Sequence, residues 1–312
     1  MSPYGWSGMY GFSWNDLDQV RARLDGGAAP NSGLDGDVPP LHNVAEWGSP
    51  AVITELIRRG ADVDAEHEGR TALWVAVFMK KLDNVRVLVS AGADPWHPGM
   101  GGWSPGRLNL AGPAPELFGS PPGEIGLSEP ETAAVAEAQR LINALGDFDY
   151  DGLSIECVSG MNAADAAQRL NATPVDEAQV QELMEDPWSA EDDGESVVGI
   201  TNVPGGCVIT QPWGFGANSH SAQLSVGTVC YGMYANPKSG NQGSVAINGV
   251  LVESDTHPGG GNAFHGQPTE EILREYLYQG EALAYCANGA GLRLTDNRAI
   301  VGPADIWVRV PD

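Results

Sequence analysis

In the first third of the chain, apolar residues return at a spacing of three and four. "AVITELIRRG" (51–60) places Ile53, Leu56 and Ile57 on one side of a helix, and "NVRVLVSAG" (84–92) does the same with Val85, Leu88 and Val89. Each run stops at a glycine, as does "LDQVRARLDGG" (17–27). Gly27, Gly60 and Gly92 lie 33 and 32 residues apart, and Leu41 and Leu73 lie 32 apart. A glycine after a helix end supplies the left-handed conformation that commonly closes it. The spacing predicts helix pairs: a short first helix (Leu41 to Trp47, then Ala72 to Met79) followed by a second, repeated every thirty-odd residues.

After a Pro- and Gly-rich connector (111–126) the period changes. "SEPE" is a capping box, Ser128 with Glu131 three residues on, and predicts a linking helix to about Leu145. Beyond it, "LSIECVS" (153–159) reads as a strand and "NAADAAQRL" as a helix capped by Asn162. "SVVGITNV" and "CVITQPW" read as a hairpin around Pro204-Gly205-Gly206. "SVGTVCYGMYA" predicts a long strand, and Asn248-Gly249 predicts a tight hairpin between "SVAI" and "VLVES". One helix is expected from Thr269 through "TEEILREYLYQGEALAYCA", and "DIWVRV" closes the chain as a strand. Strands joined by tight turns, with a few helices between them, indicate an α+β domain with a mainly antiparallel sheet.

The phrases "PPLHNVA", "EGRTALWVA", "RRGADVDAEHEG" and "SAGADPW" resemble the ankyrin repeat, over roughly residues 14 to 118. The resemblance implies an α-solenoid of stacked helix pairs joined by β-hairpin fingers, which binds other macromolecules through its finger tips and inner-helix face. Residue for residue, His42 of "PPLH" is expected to brace its turn. The ends depart from the pattern. The first copy shows only its second helix, with Arg23 where later copies have Leu56 and Leu88, and in the fourth Gly106 replaces a leucine. Two complete units are short for a free array, so something else must cover an end. The partner-binding candidates are Glu66, His67, Glu68, Arg70, Trp74, Phe78, Trp96, His97 and Trp103. For the aromatic residues among them, packing against the rest of the chain is the competing expectation. Over nearly its full length, through "MSPYGWSGMYGFSW", "GWSPGRLNLAGP", "VPGGCVITQPWG" and "CYGMYANPKSGNQGS", the chain also resembles bacterial proteins that join a few ankyrin repeats to an α+β domain of unknown role. The division expected is 1–118 for the repeats, 119–150 for the connector and linking helix, and 151–312 for the α+β domain.

Charge narrows the partners. The formal net charge is −25 over 312 residues, which repels phosphate backbones and anionic membranes. Nucleic acid and membrane are therefore not expected; the excess serves solubility in the first place, and would also suit a basic protein partner. The N-terminus has no basic region followed by an apolar run, so a cytoplasmic protein is expected. Cys157, Cys207, Cys230 and Cys286 include no CxxC pair and read as buried free thiols.

Candidate chemistry is sparse. "GMYANPKS" approaches a phosphate-binding loop, but Pro237 stands where glycine is required, and strand rather than helix follows. It reads as a hairpin loop. His257 and His265 bracket a glycine-rich loop without a third ligand nearby, and the acidic segment 176–195, with "EDDGE" read as exposed loop, fits no calcium pattern. No metal or cofactor is expected. The density of Gly, Asn and aromatic residues nominates Trp213, Tyr231, Tyr234, Asn236, Lys238, Asn241 and His257 as a possible small-molecule site. The leading expectation is a cytoplasmic protein-binding protein with no catalytic role. A ligand-binding protein or enzyme acting through the C-terminal domain, and an antitoxin-like or anti-invader protein binding a basic partner, are the alternatives.

Overall fold

The computed structural model describes residues 5–33, 38–119, 121–123, 126–185, 197–214 and 216–311. They form two compact units. Residues 1–135 with 262–277 make the first, and 136–261 with 278–312 the second. The sequence read as "EDDGE" lies outside the described residues.

The first unit is a stack of helix pairs. α1 (Leu17–Asp25) is preceded by a 3-10 helix, Gly11–Asn15, which packs on α2. The first copy therefore has a short counterpart of the first helix that the sequence did not reveal. Two full pairs follow: α2 (Pro40–Trp47) with α3 (Pro50–Arg58), and α4 (Ala72–Phe78) with α5 (Leu82–Ser90). Pro40 and Pro50 each sit in a first helical turn, where the missing N–H costs nothing. Thr71 caps α4 by accepting from the Trp74 N–H. Gly27, Gly60 and Gly92 have φ of 93°, 95° and 100°, the left-handed closure their spacing predicts.

Neighbouring pairs are tied by buried polar contacts. Asn84 Nδ2 donates to the carbonyls of Ala45 and Gly48 at 3.1 Å. His42 braces its turn as expected, its Nε2 lying 2.8 Å from the Arg70 carbonyl. Burial lowers its pKa to about 4, so the ring is neutral and Nε2–H is the donor. Between the pairs, β1 (Glu66–His67) and β2 (Arg70–Thr71) form a finger that turns at Glu68 and Gly69, both with positive φ. The last pair is incomplete. α6 (Pro105–Asn109) holds Gly106, where a Cβ would stand 2.6 Å from the Trp96 ring, so the indole occupies the space that a leucine would fill. The linking helix α7 (Glu129–Leu145) starts with the capping box read from sequence, Ser128 N donating to Glu131 Oε2 at 2.7 Å.

The second unit holds an eight-stranded sheet in which every pairing is antiparallel. In chain order it comprises β3 (Ser154–Ser159), α8 (Ala163–Arg169), β4 (Thr173–Pro174), α9 (Glu177–Glu185), β5 (Val197–Val203) and β6 (Gly206–Gln211). These are followed by α10 (Ser221–Leu224), β7 (Val229–Asn236), β8 (Gly240–Ile247) and β9 (Val250–Thr256). α11 (Thr269–Leu277) belongs to the first unit, after which α12 (Ala282–Gly289), α13 (Arg298–Val301) and β10 (Ile306–Arg309) complete the second. The spatial order is β4-β10-β5-β6-β3-β7-β8-β9.

α8 and α10 cover one face of the sheet, burying Val158, Ile200, Ile209, Cys207 and Cys230, while α12 and α13 pack on the other. All four cysteines are free and buried. All three hairpins read from sequence are present, with Asn248 and Gly249 at φ 52° and 82°. The acidic segment holds a helix that the sequence reading did not anticipate, because Val180 and Leu183 give α9 an apolar side. One expectation changes. The helix expected to run on from Thr269 breaks at Gly280 (φ 86°) into α11 and α12.

Candidate partner-binding face

The fingers present most of the polar candidates. Glu66 and Glu68 are exposed, while His67, Arg70, Trp96 and His97 are half-buried. The fingers are held in line by side chains that accept backbone N–H groups from the next repeat. Asn31 Oδ1 takes the Asp62 N–H at 2.7 Å, and Asp64 Oδ1 takes the Asp94 N–H at 3.0 Å. His97 Nε2 lies 3.2 Å from Glu66 Oε2, and Arg70 pairs with Glu68 at 3.0 Å. The outer side carries a stronger charge cluster. Hydrogen bonds from Arg58, and then Arg59, hold the Glu55 carboxyl down at about pKa 2.

The aromatic candidates on the first helices are core. Trp74, Phe78 and Trp103 are each at most 1% exposed. Trp74 stacks on Phe78 at 5.0 Å and donates its ring N–H to the Trp103 carbonyl at 2.8 Å. They are buried by the chain's own segment 262–277. Trp103 Nε1 donates to the Thr269 carbonyl at 3.0 Å, Thr269 Oγ1 donates to the Gly101 carbonyl at 2.9 Å, and Tyr276 lies 6.1 Å from Phe78. Farther along, Arg70 donates to the Ala263 carbonyl and Lys80 to that of Leu277. As partner anchors Trp74, Phe78 and Trp103 are therefore corrected: their rings have no free face. The array does have a cover, but along the first helices rather than over an end, where one was expected.

Residues 9–98 match the family model for ankyrin repeats, in three copies. These are ankyrin repeats. Comparison with curated proteins finds no match. Ankyrin arrays are read by finger and by inner-helix face, and in this one α11 and the residues 262–268 that lead into it take the inner-helix side. Sequence reasoning missed this occupant, although the helix itself was legible. Its buried residues Ile272, Leu273, Tyr276 and Leu277 form an apolar side that does not declare which surface it covers.

The small-molecule candidates of the second unit do not form one site. Asn236, Lys238, Asn241 and His257 gather around the β7–β8 turn, where the Lys238 N–H donates to Asn236 Oδ1 and His257 Nδ1 lies 3.1 Å from the Asn241 carbonyl. Register puts Tyr231 opposite Cys157 and Val245, and Tyr234 opposite Ser154 and Gln242, hence on opposite faces of the sheet. Trp213 stacks on Trp307 at 5.8 Å beside the other half of the sheet. Pro237 lies in a strand-to-strand turn, as the failed phosphate-loop pattern requires. Among the described residues no group of three His, Cys, Asp or Glu side chains has metal-binding geometry, and no helix is long and apolar enough to cross a membrane.

Proposed function

We propose that the protein is a cytoplasmic interaction protein that captures a protein partner along its ankyrin fingers. Ankyrin repeats suggest protein binding in general. The observation that directs the reading to the fingers is the occupied inner-helix side, which leaves Glu66, Glu68 and the half-buried His67, Arg70, Trp96 and His97 as the part of the candidate surface that solvent reaches. Asp62, Glu66, Glu68 and Asp94 are exposed along this row, and Arg70, paired with Glu68, offsets only part of their charge. A partner with a basic surface fits it. An antitoxin-like or anti-invader role would be one instance of such binding.

The test is affinity purification from the native host with the full chain and with a Glu66→Lys, Glu68→Lys variant, followed by cross-linking. The expected result is a partner whose cross-links map to residues 62–70 and 94–98 and whose capture falls more than about tenfold in the variant. Undiminished capture by the variant overturns the finger reading.

A further inference from the structure

One row of residues across the second unit's sheet changes character part-way. Strand register aligns Ile200, Ile209, Glu156, Gly232, Ser244 and Ser254 from β5 through β9, all on the face that α8 and α10 cover. The first two are core. Glu156 is fully buried, and beyond it the row is small and polar. Its Oε2 accepts from Ser221 Oγ at 2.8 Å, the weakly polar Cys230 thiol flanks the carboxyl, and Oε1 has no well-formed hydrogen bond. A buried carboxyl with an unmatched oxygen costs stability, so its presence in a core needs a reason.

Gly232 supplies part of that reason. A Cβ there would stand 3.1 Å from Glu156 Oε2, from Ser244 Oγ and from the Asn218 side chain, so the glycine leaves a small gap onto which all three face. Above the row, a 3-10 turn (Gly216–His220) and α10 bring Asn218 and Ser221 over the sheet, with Ser221 Oγ 3.4 Å from Ser244 Oγ. A cavity of about 360 Å³ opens here, lined by Asn218, Ser221, Gln242, Ser244 and Ser254 among others.

The wall selects the ligand by charge. No charged side chain lines the cavity among the described residues. A phosphate or carboxylate would meet no cation, in a chain whose net charge is −25, and an amine would meet no carboxylate. Burial keeps Glu156 uncharged at neutral pH. What remains are hydroxyls and carboxamides, which both donate and accept and so match a molecule rich in hydroxyl groups. The volume suits a small ligand.

We propose that this cavity binds a neutral polyhydroxylated molecule of monosaccharide size, gripped by Ser221, Ser244 and Gln242, with Glu156 fixing the Ser221 hydroxyl from beneath. The proposal stands independently of the partner reading. It is tested by isothermal titration and saturation-transfer NMR of the full chain with D-glucose, D-galactose, D-mannose and myo-inositol, beside glucosamine and glucose 6-phosphate. The expected result is saturable binding of at least one neutral compound in preference to the charged ones. Ser244→Ala and Gln242→Ala should each weaken it about tenfold, roughly the loss of one hydrogen bond, with an unchanged melting temperature. Gln242 is exposed, so its truncation tests the cavity without disturbing the core. No saturable binding by any of the four neutral probes, preference for a charged analogue, or unaltered affinity in both variants overturns the proposal.

Discussion

Two tryptophans seven residues apart have different roles. Trp103 is fully buried and donates to the Thr269 carbonyl, whereas Trp96 is half-buried against the backbone of Gly106. Trp103→Ala should cost about 3–5 kcal/mol, as truncation of a buried tryptophan does, and Trp96→Ala clearly less. Chemical denaturation of the two variants decides it, and equal losses would contradict the assignment of Trp103 to the core. Two carboxyls set opposite pH slopes. Glu55, held near pKa 2 by Arg58 and Arg59, contributes stability to the first unit that is present above about 4.5 and lost as pH falls toward 2. Glu156, raised to about 8 by burial, is protonated in the fold while ionised in the unfolded chain between about 4.5 and 8. The folded second unit then binds more protons across that window, so its stability falls as pH rises through it, by up to about 1.4 kcal/mol per unit. Hydrogen exchange of the β3 amides at several pH values reads this slope. Glu156→Gln should flatten it, and a slope that survives the substitution would assign it to another group.

At the scale of elements, local signals were legible and addresses were not. The left-handed glycines, the Ser128 and Asn162 caps and the Asn248-Gly249 turn follow from neighbours in sequence, and all appear where the spacing puts them. The 3-10 helix Gly11–Asn15 escaped notice because "GFSWN" has no apolar period, and α9 because its two inward residues are diluted by carboxylates. α11 was legible as a helix, yet its length was overestimated because Gly280 sits within an otherwise unbroken helical pattern. Its packing surface lies some 170 residues away in sequence, beyond any local signal. The candidate site suffers from the same blindness. Glu66 and Glu68 fall on an exposed tip as read, while Trp74 and Phe78 look like anchors until α11 is in place. Tyr276 is the key contact: it is buried, meets Phe78, and leaves no space for a Cβ at Gly112. Tyr276→Ala should therefore destabilise the first unit by about 3–5 kcal/mol, shift tryptophan fluorescence to the red as Trp74 and Trp103 meet water, and hasten proteolysis around residues 262–268. Tyr276→Phe keeps the ring and should lose little. Wild-type fluorescence and cleavage in the alanine variant would mean that α11 does not cover those rings.

For the whole molecule, net charge is a quantity that sequence supplies directly, but its effect depends on which charged groups reach solvent. Several carboxylates of the first unit are matched locally, Glu55 by two arginines and Glu131 by Arg107 at 2.7 Å, and so add little to the field a partner would sense. Asp62, Glu66, Glu68 and Asp94 stand along one row of fingers with few cations among them. Since the inner-helix side is already covered by α11, binding to this array should be governed by that row, and exposed charge pairs are screened over about 10 Å at 0.1 M salt. Affinity for the captured partner should accordingly fall steeply between low and physiological salt, through a slower association rate more than a faster dissociation rate. The Glu66→Lys, Glu68→Lys variant should show a shallower salt dependence as well as weaker binding. Surface plasmon resonance across a salt series separates the two rates. An affinity indifferent to salt would mean that the partner is held by apolar contacts, and with α11 in place those would have to come from a surface other than the inner-helix side.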